Sequence, residues 1–95
     1  MPTLQIQHAI SDFDVWQQAF KRFDGARQQA GVLSHQVRRP VDDAQYVVVD
    51  LDFATVEQAE RYRKFLHENV WSSPVNSPAL LGPPETKILE LALSS

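Results

Sequence analysis

Hydrophobic and polar residues alternate from Thr3 to Ala9, with Leu4, Ile6 and His8 on one side and Thr3, Gln5 and Gln7 on the other. A two-residue period is that of a strand with one buried face. From Trp16 the period changes. Trp16, Phe20, Phe23, Arg27 and Ala30, joined by Ala19 and Ala26, recur at helical spacing and form one stripe. Ser11 or Asp12 is placed to cap this helix, and Asp12 and Asp14 put carboxylates at the positive end of its dipole. Gly31 stands where a left-handed terminating residue is expected.

Alternation returns from Leu33 to Arg39, with Leu33, His35, Val37 and Arg39 opposed to Ser34, Gln36 and Arg38. Pro40 to Ala44 has turn composition. Gln45 to Phe53 is the clearest strand: Val47, Val49, Leu51 and Phe53 share one face, Tyr46, Val48, Asp50 and Asp52 the other. Thr55 and Gln58 make a capping box that opens a second helix, running to about Asn69. Its inward stripe is Val56, Ala59, Tyr62 or Arg63, Leu66 and Val70, and its charged residues make a solvated face. The prolines and serines of 70–84 predict irregular structure, with one helical turn over Ser77 to Gly82. Glu85 to Leu93 closes the pattern as a strand with Leu89, Leu91 and Leu93 buried.

The order strand, helix, strand, strand, helix, strand predicts a ferredoxin-like α+β domain over 1–95. Its four-stranded antiparallel sheet takes the order 4-1-3-2, with both helices on one face. The opposite face would then carry Gln5, Gln7, Gln36, Arg38, Tyr46, Val48, Asp50, Ile88 and Glu90. A mixed surface of this kind suits a wet contact with a second copy, so a homodimer through the sheet face is expected.

Composition narrows the chemistry. A hydrophobic fraction of 43% in 95 residues supports a folded globule. With no cysteine, disulfides, thiolate nucleophiles and iron–sulfur clusters are excluded. A net charge of −3 gives no reason to expect nucleic acid or an anionic membrane. Asp50 and Asp52 on the third strand would repel phosphate where an RNA-recognition motif needs basic and aromatic residues. The Ala9-Ile10-Ser11 turn lacks the glycines of a phosphate-cradling loop. No apolar run reaches the ~20 residues of a membrane span, and no signal-peptide core follows Met1, so a cytoplasmic protein is expected. His8 and His35 fall on strands separated by a third and at opposite ends of the sheet, so they share no metal.

The run His8-x-x-x-Asp12-Phe13-x-x-Trp16-x-x-x-Phe20, the strand Tyr46-Val47-Val48-Val49-Asp50 and the late Gly82-Pro83-Pro84-Glu85 resemble the small dimeric α/β-barrel proteins. Within these, the chain is similar to the antibiotic-biosynthesis-monooxygenase-like group and its short bacterial members. The resemblance spans nearly the whole chain. It implies two sheets facing each other as a barrel and, in each subunit, a cleft between sheet and helices for an aromatic substrate or haem. It also implies cofactor-independent oxygenase or cyclase chemistry, haem degradation, or no activity at all. Haem-degrading members use an Asn, a Trp and a His. Here Asn69 and Asn76 fall near a helix end, and only Gln5 or Gln7 offers an amide on the first strand. No cofactor is therefore expected.

The candidate cleft residues follow. His8 shares its side with Leu4 and Ile6 and is the candidate catalytic proton acceptor. Phe13, Trp16, Phe20, Tyr62 and His67 are the candidate ligand-binding residues, with Phe65 beside them, for a small aromatic ligand. Against this stands an ordinary core made of the same aromatic stripe, with His8 bonded to Asp12 and the other histidines at the surface. Two readings stay open: a small-molecule-binding, monooxygenase- or cyclase-like protein, and a non-catalytic homodimeric module whose sheet–helix layer is filled.

Overall fold

The computed structural model describes residues 1–93. Strand β1 (Thr3–Ile10) leads into α1 (Phe13–Arg22) and α2 (Asp24–Ala30), followed by β2 (Ser34–Arg38), β3 (Tyr46–Asp52), α3 (Val56–Phe65) and β4 (Leu80–Leu89). The four strands are antiparallel neighbours in the order β2-β3-β1-β4. This is the ferredoxin-like α+β arrangement that the alternating and helical periods predict.

The core lies between this sheet and the helices. Leu4, Ile6, Val49, Leu51 and Phe53 from the sheet meet Ala59, Tyr62, Leu66 and Val70 from the last helix. Ile10, Val47 and Ala79 form a smaller cluster beside it. At about 1.5–3 kcal/mol for each large side chain removed from water, this layer supplies most of the drive to fold. The register follows from it, because a slip of one residue would turn each strand's apolar set to the open side.

Asp12, rather than Ser11, caps α1, accepting the Val15 N–H at 3.0 Å. The single long helix expected from Ser11 to Gly31 is broken at Phe23, which leaves helical dihedrals just ahead of Asp24 and Gly25. Both are poor formers of helix interior. Gly31 closes α2 in the left-handed region at φ 95°, as its position predicts. The capping box opening α3 is complete, with the Thr55 hydroxyl and the Gln58 side chain each accepting a backbone N–H. Val56, placed on the inward stripe by its spacing, is exposed, while Tyr62 takes the buried position in preference to Arg63. After Phe65 the helix widens into one π-helical turn, Leu66–Val70, in which the Trp71 N–H donates to the Leu66 carbonyl at 2.8 Å.

The last strand departs most from expectation. It begins at Leu80, so no helical turn spans Ser77 to Gly82, and it ends at Leu89. Thr3 pairs with Leu89, and β1 starts at Thr3, so nothing remains for residues beyond Leu89 to pair with. Leu91 and Leu93 are accordingly 70% and 90% exposed. Leu4 pairs with Ile88, which places Ile88 against the core and turns Leu89 to the open face, the reverse of the predicted sides. Opposite His8 the pairing is interrupted: Gln7 meets Glu85 and Ala9 meets Leu81, so one residue of β1 faces Gly82, Pro83 and Pro84. Two prolines that cannot donate to a ladder, beside a glycine at φ 71°, make this bulge.

Candidate functional site: a cavity between sheet and helices

The layer between sheet and helices is not filled. The bulge in β4 and the break at Phe23 flank a cavity lined by Ile6, Val49 and Leu51 from the sheet, Trp16, Phe20 and Arg27 from the first helices, and Tyr62, Leu66 and Trp71 from the last. The centre of a water molecule can range over about 70 Å³ of it. A single water needs roughly 10–15 Å³ by that measure, so several waters or one small ring fit.

One wall is a continuous run of rings. His8 lies 6.4 Å from Trp16, Trp16 stacks on Phe20 at 4.9 Å, and the Arg27 guanidinium carbon sits 3.7 Å over the Phe20 ring. The π-helical turn serves the opposite wall: Leu66, Val70 and Trp71 all line the space, where regular α geometry would rotate one of them away.

Among the described residues His8 and Arg27 are the buried polar or charged side chains, and both line this cavity beside the buried Tyr62 hydroxyl. His8 is 6% exposed, and its Nδ1–H donates to the Ala9 carbonyl at 3.0 Å. A carbonyl only accepts, so Nδ1 carries a proton, and in the neutral ring Nε2 then presents its lone pair. Nε2 has no partner among the described residues, no side-chain polar atom there is sealed off without one, and His8 lines the cavity. Burial pushes the imidazole below its ordinary pKa, and the Ala9 hydrogen bond offsets part of this. The expected Asp12 partner is used elsewhere, as the α1 cap.

Arg27, 4% exposed, donates from one terminal nitrogen to the Phe20 carbonyl at 2.9 Å and from the other to Asp24. Burial raises the pKa of the Tyr62 hydroxyl, an effect opposed by the charge and hydrogen bond of Arg27. Among the described residues no group of three or more His, Cys, Asp or Glu could hold a metal ion.

The fold therefore brings His8, Trp16, Phe20 and Tyr62 together around one space. Phe13 sits outside it, packed on the far side of Trp16 at 5.8 Å and covered by the Arg39 guanidinium at 4.2 Å. His67 is exposed and meets Trp71 edge-on at 4.8 Å, so Trp71 takes the place in the wall that spacing suggested for His67. Phe65 stacks on Tyr62 at 5.7 Å and lines an outer groove between α2 and α3. Arg27 and Trp71 were not among the candidates. The signal for Arg27 was its place in an otherwise apolar stripe, which only a buried guanidinium with its own partners can occupy.

No known family model matches the chain, and no curated protein does. Solved structures do match, nearly end to end. A structure named "putative antibiotic biosynthesis monooxygenase from Nitrosomonas europaea" superposes with a TM-score of 0.71 at 12% identity, over 98% of this chain and 100% of that one. A second structure named antibiotic biosynthesis monooxygenase gives 0.70 at 10% identity, with 98% and 100% covered. A dimeric ferredoxin-like protein from an uncultured marine organism gives 0.67 at 12% identity, with 99% and 96% covered.

Proposed function

We propose that this protein binds a small aromatic molecule between its sheet and helices, with His8 as the proton acceptor of a monooxygenase-like reaction. The observation that carries this reading is the free Nε2 of a neutral, buried His8 at the wall of an apolar cavity. A base of this kind accepts a proton near neutral pH without first having to lose one. In this reading a ring hydroxyl gives its proton to Nε2 and the phenolate passes one electron to dioxygen. The resulting superoxide bonds to a ring carbon, and loss of water, with His8 returning its proton, leaves a quinone. The phenol itself is thus the reductant, and one oxygen atom ends on the ring and the other in water. One similar structure is named an antibiotic biosynthesis monooxygenase and another a "putative" one, which supports the oxygenase assignment by fold analogy. The size of the cavity favours one ring over several fused rings.

The same reading includes a homodimer, because similar structures are described as dimeric ferredoxin-like proteins. The surface for it is the open sheet face: Gln5, Gln7, Gln36, Arg38, Tyr46, Val48 and Asp50, with Leu81 and Leu89 at one edge. Among the described residues no helix is long and apolar enough to cross a membrane.

Thermal shift with phenol tests the binding step. A rise in Tm with phenol that disappears in A19L, which fills the cavity from α1, is the expected result. Equal shifts in both proteins would contradict it. Turnover of any substrate so found should vanish in H8A while the fold is retained.

A further inference from the structure

The geometry points to a single-ring phenolic carboxylate as the cavity's ligand, its carboxylate held by Arg27 and its hydroxyl by His8. This rests on the cavity-binding reading above and adds the charge and length of what is bound.

Position along the sheet comes first. His8 pairs with Val47, whereas His35, which touches the edge of Phe20 at 5.5 Å, pairs with Leu51. Val47 and Leu51 are four residues apart on β3, roughly 13 Å of strand. Arg27 lies over Phe20 and thus towards the Leu51 end. The two buried polar groups therefore face an apolar, ring-lined space from opposite ends.

The bonding capacity of Arg27 gives the charge. Of the five N–H groups of the guanidinium, the Phe20 carbonyl and Asp24 occupy one on each terminal nitrogen and the Tyr62 hydroxyl takes a further one, which leaves two. The remaining donors belong to a cation that is 4% exposed. Its charged partner among the described residues, Asp24, has a side chain 63% exposed. Beyond the face of Phe20 and the Tyr62 hydroxyl, the counter-charge of this buried cation is a carboxylate at the surface, which compensates it poorly. A ligand carboxylate inside the cavity would supply the paired, desolvated geometry in which such contacts are strong, and Asp24 could return to water at little cost. At the far end Nε2 accepts and does not donate, so it selects a hydroxyl over an ether or a second carboxylate. An aromatic ring between them would lie against Trp16 and Phe20.

The test compares 4-hydroxybenzoate, 4-hydroxybenzamide and phenol by calorimetric titration of the wild-type chain, D24N and R27Q. Wild type is expected to bind 4-hydroxybenzoate at least tenfold more tightly than the amide. D24N, which frees Arg27 by changing an exposed side chain, should widen that ratio and leave phenol unaffected. R27Q should bring the ratio to unity while still binding phenol; if it fails to fold, D24N decides alone. Phenol binding with no preference for the carboxylate, or a ratio that D24N narrows or R27Q retains, overturns the assignment of Arg27 and leaves the cavity reading standing. If none of the three rings binds, the cavity reading fails and this one with it.

Discussion

The two faces of the sheet handle their polar groups in opposite ways. On the open face the side chains satisfy one another. Asp52 accepts from Thr3 at 2.6 Å and from Ser34 at 2.7 Å, Asp50 from Gln5 at 3.1 Å and from Arg38 at 2.9 Å, and Gln7 from Tyr46 at 3.3 Å. Such a ladder leaves little bonding capacity for a small molecule and suits a broad, hydrated contact. On the helix side, among the described residues, His8, Arg27 and the Tyr62 hydroxyl are polar and buried, and His8 and Arg27 keep unused capacity beside the same apolar cavity. Buried polar groups are normally satisfied within the protein. Their grouping around one void is what distinguishes a site from a core.

The largest expected difference between the faces is in stability. Leu51→Ala, at a residue 1% exposed, should cost about 2–5 kcal/mol in urea unfolding. Val48→Ala, one residue earlier and on the open face, should cost less than about 1 kcal/mol in dilute protein. Equal losses would remove the distinction. Gly31→Ala should cost about 1 kcal/mol, because φ 95° is strained for any side chain.

The faces should also titrate apart. The pKa of His8 in the folded chain lies below its ordinary value of 6.5, mainly through burial. Between those two values the unfolded chain binds the extra proton. Stability should therefore fall as pH drops through 6.5 and level off below the folded pKa. Replacing His8 by Gln should flatten that slope in urea midpoints measured from pH 8 to 5. Asp52 has its pKa lowered by hydrogen bonds from Thr3 and Ser34, so its contribution is present above 3.8 and lost as pH falls below it. Asp52→Asn should lower stability above about pH 4 and remove this acid limb, leaving the slope near pH 6.5 in place. The smallest effect belongs to Arg38→Ala, which breaks an exposed ion pair with Asp50 and should cost under about 1 kcal/mol in dilute protein. A cost that grows with protein concentration would place Arg38 in a subunit contact.

Much of the fold was legible in the sequence because local signals agreed with the global pattern. The alternation at Val47, Val49, Leu51 and Phe53, the Thr55–Gln58 capping box and Gly31 each correspond to an observed feature. The side of β4 was not legible. Leu89, Leu91 and Leu93 alternate as well as any strand, but pairing with β1, which starts at Thr3, decides which residues are used. The π-helical turn and the break at Phe23 are tertiary adjustments without a clear local signature, and together they bring Trp71 and Arg27 to the cavity. Of the candidate site, His8, Trp16, Phe20 and Tyr62 were readable as inward positions. Phe13 and His67 were not separable from them, because spacing alone does not distinguish the two flanks of a stripe.

The central claim is that Nε2 of His8 is an unprotonated acceptor facing a ligand-accessible space. Long-range nitrogen NMR of the three histidines at pH 7, titrated with phenol, measures this directly. We predict a His8 ring protonated on Nδ1 alone, whose Nε2 resonance moves on saturation as it accepts a hydrogen bond, while those of His35 and His67 stay in place. A His8 that is doubly protonated at pH 7, or an Nε2 resonance unmoved while phenol binds, would contradict it.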